Sequence, residues 1–204
     1  MRVIRLYHCK GARSLRPLWM LEELGLDYQL ESLPFPPRRR QPDYLDTNPL
    51  GTVPALFDGD AALFESGGAC DYLGNKYGPT DLVVRPDEAG YAHYVQFLHM
   101  GEATLTFPLT IVFRYGMLEP EPRRLPQAVE DYRAFFLGRL KFVMERLEQA
   151  EFLVADRFTA ADITVGYNFS FMTHLGLLDM LAPRTRAYWD RLQARPAYQR
   201  AIAL

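Results

Sequence analysis

The sequence predicts an α/β domain followed by an all-helical domain, and three features of the chain indicate this division. Residues 3–76 alternate between short apolar runs of strand length and segments with helical spacing. The run Gly78-Pro79-Thr80-Asp81 is typical of a linker. Beyond it, the apolar residues recur at helical spacing to the last residue. We therefore expect one domain over residues 1–78 and a second, purely helical one over residues 86–204.

In the first half, a helix connects the first two predicted strands. Val3–Tyr7 is predicted to be a strand, and the helix after it begins at Ser14, a good N-cap residue, and ends at Gly25. The second strand is predicted over Tyr28–Leu33. Because a helix connects the two strands, we expect them to be parallel, with a right-handed crossover.

A hairpin and a helix complete the predicted α/β domain. A proline- and arginine-rich loop over residues 34–42 leads to a helical turn near Tyr44. Asp58-Gly59-Asp60 is a hairpin turn signal between two short strands, and a helix is predicted over Ser66–Lys76.

The second half contains two long predicted helices and one capping motif. We expect an aromatic helix over Asp87–Met117, bent at Pro108, and another helix over residues 126–150. Thr159-Ala160-Ala161-Asp162 precedes an apolar run and fits a capping box. We therefore interpret Asp162 as a structural residue.

Composition excludes several classes of function. The 204 residues carry a net charge of −2 and are 49% hydrophobic, as in ordinary globular proteins. A nucleic-acid-binding surface normally shows a strong basic excess, which this chain lacks. The best candidate for a membrane span, Leu105–Phe113, is too short and contains Pro108. We therefore expect neither nucleic acid nor a membrane as a partner.

Cysteine and histidine usage indicates the compartment and argues against a metal site. The two cysteines, Cys9 and Cys70, do not suggest a disulfide framework and fit a reducing cytoplasm. The amino terminus has no apolar signal-peptide region. The four histidines show no metal-ligand spacing. A cytoplasmic protein without a metal is the expectation.

Pro54 stands directly before a predicted strand, where it cannot donate to the ladder of the sheet. If the Val53–Pro54 bond is cis, the Val53 backbone turns outward. Its N–H and C=O groups can then pair with an extended peptide laid alongside. The hairpin that follows, and Glu65-Ser66 at a helix start, complete a compact local motif.

Val53-Pro54-Ala55-Leu56, the hairpin and Glu65-Ser66 together resemble the glutathione-binding half of the glutathione S-transferase family. The resemblance extends over nearly the whole chain. It implies a thioredoxin-like N-terminal domain, an all-α C-terminal helical bundle, a cis bond before Pro54 and a homodimer. It also implies that glutathione is the co-substrate. Its thiolate would be conjugated to an apolar electrophile or would reduce a peroxide.

The resemblance also implies which residues bind each part of glutathione. Ser66, at a helix N-terminus, is expected to hold the γ-glutamyl carboxylate, and Glu65 the γ-glutamyl ammonium. The Val53 backbone, before the cis bond to Pro54, would pair with the cysteinyl segment, and Leu50, Gly51 and Thr52 would shape the approach. The glycine carboxylate would be met from the basic loop, whose candidates are Arg38, Arg39, Arg40 and Gln41. We favour Arg39 and Gln41, but the sequence leaves open which arginine faces the ligand.

The thiol-activating position departs from the family's patterns. One alignment places Arg13 where bacterial beta-class members carry a catalytic cysteine, and another places Ala12 where other members carry a serine. Both retain Ser14. A hydroxyl hydrogen bond to a charged group contributes about 1.5–3 kcal/mol, close to the roughly 2.7 kcal/mol that lowers a thiol pKa by about two units. We predict that Ser14 donates to the sulfur with Arg13 as helper; the alternative is that Ser14 only caps the helix.

The second substrate is expected to lie between the domains, against the long aromatic helix. Its candidate lining residues are His99, Glu102, Phe107, Ile111 and Tyr115. Two other functions stay open at this point. One is a glutathione-binding regulatory protein without catalysis, which the altered thiol position favours. The other is a glutathione-dependent isomerase or lyase using the same site.

Overall fold

The structure of this chain is a computed structural model that describes residues 3–204. Met1 and Arg2, which the predicted first domain includes, lie outside the described residues. The chain forms two compact units, of which the first comprises Met1–Val83 and Leu192–Leu204 and the second Val84–Arg191. The last thirteen residues, predicted to be part of the helical domain, therefore belong to the first unit.

A four-stranded mixed sheet forms the centre of the first unit, in the order β2-β1-β3-β4. The strands are β1 (Ile4–His8), β2 (Tyr28–Ser32), β3 (Ala55–Asp58) and β4 (Ala61–Leu63). The first two pair in parallel, with Ile4 opposite Tyr28, as predicted. The β3 strand runs antiparallel to both β1 and β4. The α/β prediction for this half is confirmed, and strand ends differ by one or two residues.

The helices follow one another along both units. They are α1 (Leu15–Leu24), α2 (Pro37–Arg40), α3 (Tyr44–Thr47), α4 (Ser66–Lys76), α5 (Tyr91–His99), α6 (Phe107–Phe113), α7 (Pro126–Leu147), α8 (Ala160–His174), α9 (Pro183–Gln193) and α10 (Pro196–Ala203). The predicted arginine-rich loop thus contains one short helix, α2. Gly25 ends α1 in the left-handed conformation at φ 63°, as its sequence position predicts.

The C-terminal helix α10 packs on α1. The rings of Trp19 and Tyr198 meet edge to face at 4.7 Å between centroids. Just before α10, Arg195 donates to both carboxylate oxygens of Glu23, at 2.6 and 2.8 Å. Aromatic packing and a bidentate ion pair therefore attach the end of the chain to the first unit.

The long aromatic helix is interrupted by two π-helical segments. Met100–Thr106 connects α5 to α6, and Arg114–Leu118 follows α6. Pro108 is the second residue of α6, just after the first segment. Proline has no N–H for the normal helical ladder, and a wider turn accommodates this. The predicted start at Asp87 was wrong by four residues. Gly90 takes a φ of 91°, and the helix begins only after it.

The first π-helical segment crosses α8 at very close range. A Cβ atom on Gly101 would lie 2.6 Å from the backbone carbon of Thr164, so only glycine fits here. The Gly101 carbonyl accepts hydrogen bonds from Asn168 Nδ2 at 2.9 Å and from Thr106 Oγ1 at 2.8 Å. These bonds satisfy a carbonyl that the wide turn displaces from the helical pattern.

The predicted capping box at the start of α8 is present. Asp162 Oδ2 accepts from the Thr159 N–H at 2.8 Å, and the Thr159 side chain accepts in return from the Asp162 backbone. The other carboxylate oxygen, Oδ1, accepts from the Leu153 N–H at 3.1 Å and from the Tyr188 hydroxyl at 2.8 Å. One buried carboxylate therefore connects α8, α9 and the segment before them.

Candidate functional site in the first unit

The predicted binding motif is assembled at one end of the sheet. The Val53–Pro54 peptide is cis, as predicted, and both residues are buried. Val53 packs in a cluster with Cys9, Tyr44 and Ala55, and Ala12 borders that cluster. The segment that precedes β3 and the turn that follows β1 are therefore in contact.

The backbone that leads into Val53 is held by side chains from α3 and its end. The Thr52 carbonyl accepts from the Tyr44 hydroxyl at 2.8 Å and from Asn48 Nδ2 at 2.7 Å. Gly51 has a φ of 62°, and a Cβ atom there would lie 2.8 Å from Cβ of Arg38. Tight packing and two hydrogen bonds thus fix residues 51 and 52 just before the cis peptide.

Ser66 is the first residue of α4 and is fully buried. Arg16, whose exposed fraction is also 0%, donates from Nη1 to Ser66 Oγ across 3.1 Å. A guanidinium can only donate, so Ser66 Oγ is the acceptor in this bond. A permanent positive charge therefore lies next to a helix N-terminus, where backbone N–H groups and the helix dipole already favour an anion.

Sequence reasoning missed Arg16 as part of this site. The available signal was an arginine inside the apolar run of α1, between Leu15 and Pro17, on the face that the helix buries. A charged side chain at such a position needs a partner, because an unpaired buried charge is costly. The identity of that partner, 50 positions away, could not be predicted.

The other predicted binding side chains lie at the surface of the first unit. Glu65 is the exposed N-cap residue of α4. Arg39 and Gln41 are exposed at the end of α2. Of the three consecutive arginines, Arg38 has its side-chain stem against Gly51, and so adjoins the segment that leads to Val53.

Ser14 is placed at the N-terminus of α1, as predicted, but its hydroxyl lies inside the protein. Its exposed fraction is 0%, and Oγ lies 3.0 Å from Nδ1 of His8. The Cys9 N–H donates to the same oxygen at 3.2 Å, and the Cys9 carbonyl is 3.5 Å away. Arg13, one residue earlier, is partly exposed. The two predicted catalytic residues are therefore adjacent but differ in access to solvent.

His8 makes stability depend on pH. Burial lowers the pKa of His8 from 6.5 to about 4; a hydrogen bond with the Ser14 backbone opposes this shift and the charge of Lys10 adds to it. Between these values the unfolded chain binds a proton that the folded chain does not, so stability falls as the pH falls. We expect this group to remove about 3 kcal/mol from the free energy of unfolding between neutral pH and about pH 4.

Urea unfolding of the wild type and of His8→Asn at both pH values measures this effect. The difference between the two proteins should change by about that amount across the window, because asparagine does not titrate. A difference independent of pH would contradict the assignment.

Cys9, which follows β1, is buried, and burial raises its pKa to about 11. It therefore remains a neutral thiol at physiological pH and is a poor nucleophile. Cys70 is buried in α4, and within the described chain neither cysteine forms a disulfide. Tyr7 is partly buried, with its ring 5.6 Å from that of Tyr44.

The predicted second-substrate residues lie in the second unit, spread along α5, α6 and the π-helical segments. His99 is exposed, Glu102 is half-buried, and Phe107 is 55% exposed with its ring 6.1 Å from that of Tyr132. Tyr115 lines a cavity of about 370 Å³ together with Arg124 and other residues of that region. The stretch from 99 to 115 spans roughly 24 Å at 1.5 Å per residue, so a single small ligand cannot contact all of it.

Residues 3–204 contain neither a helix suited to cross a membrane nor a group of side chains suited to hold a metal ion. No helix in this part of the chain is long and apolar enough to cross a membrane. Within the same residues, no group of three or more His, Cys, Asp or Glu side chains is placed to hold a metal ion.

Comparison with known proteins identifies the family of this chain. The family described as "Glutathione S-transferase, N-terminal domain" matches residues 12–76. Glutathione S-transferase 1 of Triticum aestivum is 30% identical over 203 residues, covering 91% of this chain and 86% of the relative. Glutathione S-transferase F13 of Arabidopsis thaliana is 32% identical over 192 residues, covering 90% and 87%.

Solved structures show the same fold. The glutathione transferase URE2P6 from Phanerochaete chrysosporium, in complex with oxidized glutathione, superposes with a TM-score of 0.84 at 26% identity. The match covers 98% of this chain and 94% of that one. The thioredoxin-like and helical architecture predicted from the sequence is thereby confirmed.

Proposed function

Because this chain belongs to the glutathione S-transferase family, we propose that its first unit binds glutathione and presents the thiolate to an apolar electrophile. The observation that carries the proposal is the convergence of three features in that unit. They are the buried Arg16–Ser66 pair at the N-terminus of α4, the fixed backbone before Val53, and the adjoining turn after β1. Together they match the γ-glutamyl end, the cysteinyl backbone and the sulfur of an extended anionic tripeptide.

Each part of glutathione is assigned to one feature. The γ-glutamyl carboxylate binds at the N-terminus of α4, where Ser66 and the Arg16 charge favour an anion. Glu65, exposed at that helix end, accepts from the γ-glutamyl ammonium. The cysteinyl segment pairs with the Val53 backbone, after Thr52. The glycine carboxylate meets the basic surface of α2, where Arg38 and Arg39 precede Gln41.

The sulfur then lies at the N-terminus of α1, next to Arg13. The guanidinium and the helix dipole stabilise the thiolate. In conjugation, the thiolate forms a C–S bond and the leaving group departs with the bonding electrons. With a peroxide, the thiolate attacks one oxygen and releases an alcohol after proton uptake. A second glutathione converts the resulting sulfenic acid to the disulfide and water.

Isothermal titration with glutathione, followed by conjugation assays with an aryl chloride, tests the proposal. We expect saturable binding and release of chloride. Binding with neither conjugation nor peroxide reduction would instead favour a regulatory glutathione-binding protein. Absence of binding would contradict the proposal as a whole.

Arg13→Ala is expected to raise the pKa of bound glutathione by about one unit, because it removes the partly exposed positive charge at the end of α1. The pH profile of kcat/KM measures this shift, and Arg5→Ala, exposed on β1, serves as the control. Ser14→Ala tests the predicted hydroxyl donor in the same assay. If neither variant at positions 13 and 14 changes the profile, this turn is not the thiol site.

A homodimer is part of the proposal. On α7, Phe135 and Phe142 are 41% and 49% exposed on one helical face, and the Arg139 guanidinium lies 3.2 Å from the Phe135 ring centre. Exposed aromatic side chains of this kind are enriched in interfaces. We expect light scattering to report a dimer for the wild type and a monomer for Phe135→Glu. The control Met180→Glu, at another exposed apolar position of the second unit, should stay dimeric.

A cytoplasmic location completes the proposal. It is supported by two buried thiols that form no disulfide in the described chain, as expected in a reducing compartment.

A further inference from the structure

We propose that His8 is a positioning residue of the thiol site. Its imidazole holds Ser14 Oγ at the point where that oxygen closes the turn of residues 9–14, and it thereby places Arg13. The inference rests on the proposed function, because it assumes that glutathione sulfur lies beside this turn.

Two hydrogen bonds close the turn, one to the Ser14 hydroxyl oxygen and one to the Cys9 carbonyl. The Cys9 N–H donates to Ser14 Oγ at 3.2 Å, and the Ala12 N–H donates to the Cys9 carbonyl at 3.0 Å. Ser14 Oγ lies closer to His8 Nδ1, at 3.0 Å, than to the N–H or the carbonyl of Cys9. The imidazole therefore holds the oxygen on which one end of the turn depends, and Arg13 lies between the two ends.

A neutral imidazole allows two directions for this hydrogen bond, one for each tautomer. If Nδ1 carries the hydrogen, Ser14 Oγ accepts from both His8 and Cys9, and its own hydrogen faces the Cys9 carbonyl at 3.5 Å. That distance is too long for a strong bond. If Nδ1 is bare, the serine hydrogen is committed to His8. In either tautomer the oxygen stays in place, but only the first leaves the serine hydrogen weakly held.

A buried polar pair at this place is costlier than an apolar pair of similar size. His8 and Ser14 are both buried, and Ser14 Oγ contacts the backbone of Cys9. An apolar side chain at the end of β1 would fill such a place without the cost of burying a polar group. The imidazole stands where β1 ends and the turn begins, which is where a hydrogen bond can control the geometry of residues 9–14.

Three variants of His8 test the proposal in the whole protein. His8→Phe keeps an aromatic ring and removes both nitrogens. His8→Asn places an amide where Nδ1 lies, whereas His8→Gln places it nearer the Nε2 position. His93→Asn, exposed on α5, is the matched control. The readouts are the ultraviolet absorbance of bound glutathione thiolate against pH, the Kd for glutathione, and kcat and KM.

We expect His8→Phe and His8→Gln to raise the pKa of bound glutathione by about one unit, with kcat/KM near neutral pH falling roughly tenfold and Kd changing little. His8→Asn should retain the wild-type pKa, as should His93→Asn. Ser14→Ala should give the same shift as His8→Phe, and combining them should add nothing, because both act on one turn.

An unchanged thiol pKa in His8→Phe overturns the proposal. If that variant does not fold, the Asn and Gln variants decide, and equal pKa values in those two overturn it. A loss of affinity without a change in thiol pKa marks His8 as structural only, and so also overturns it. Failure of the proposed function is recognised separately, since the wild type would then not bind glutathione.

Discussion

Asp162→Ala is expected to lower the free energy of unfolding by about 3–5 kcal/mol. Burial raises the pKa of this carboxyl to about 6, so near neutral pH it is ionised and accepts from four donors. These are the N–H groups of Leu153 and Thr159 and the hydroxyls of Thr159 and Tyr188. Alanine leaves these buried groups unsatisfied, and each such loss costs about 1–3 kcal/mol before neighbouring groups relax.

Thermal unfolding followed by circular dichroism measures the effect. A loss of this size corresponds to a fall in Tm on the order of 10 °C for a chain of this length. Asp179→Ala removes an exposed carboxylate from the same unit and is expected to stay within about 0.5 kcal/mol of the wild type. Equal melting of the two variants would show that the capping network contributes little.

The second large effect is expected at Arg16. Arg16→Met should weaken glutathione binding by about 10- to 100-fold, which corresponds to roughly 1.5–3 kcal/mol for a charge-assisted hydrogen bond. Methionine fills much of the space of the arginine stem but cannot donate to Ser66 or supply a charge beside α4. The weaker binding should appear in the Kd for glutathione, measured by titration calorimetry.

Two further variants separate the charge from the hydrogen bond. Ser66→Ala should also weaken binding, and the double variant should lose less than the sum, because Arg16 and Ser66 act on one ligand group. Arg16→Lys retains the charge and should fall between the wild type and Arg16→Met. A folded Arg16→Met protein with wild-type affinity would separate this arginine from glutathione binding.

Local sequence signals predicted much of the fold. The cis bond at Pro54, the hairpin around Gly59, the helix start at Ser66 and the capping box at Thr159 each depend on residues close together in sequence. Propensity and turn chemistry act over this range, so they could be interpreted without a structure. The site's framework was therefore predictable, though the roles of its residues stay predictions.

The parts that could not be predicted depend on contacts between distant residues. Arg16 bonds to Ser66, 50 positions away in the sequence, and neither residue type predicts the other as its partner. His8 reaches Ser14 only because the intervening turn closes, which no periodicity encodes. The π-helical turn before Pro108 depends on Asn168 bonding the Gly101 carbonyl, 67 positions away. Each is a tertiary contact that overrides or supplements local preference.

The docking of α10 on α1 has a consequence for biosynthesis. Residues 196–203 complete the first unit, yet they follow the whole second unit in the chain. During translation the first unit therefore stays incomplete until α10 has emerged from the ribosome. Until then the Trp19 ring lacks its contact with Tyr198, and the Glu23 carboxylate lacks its ion pair with Arg195. A fragment that stops at residue 83 would lack both of these contacts.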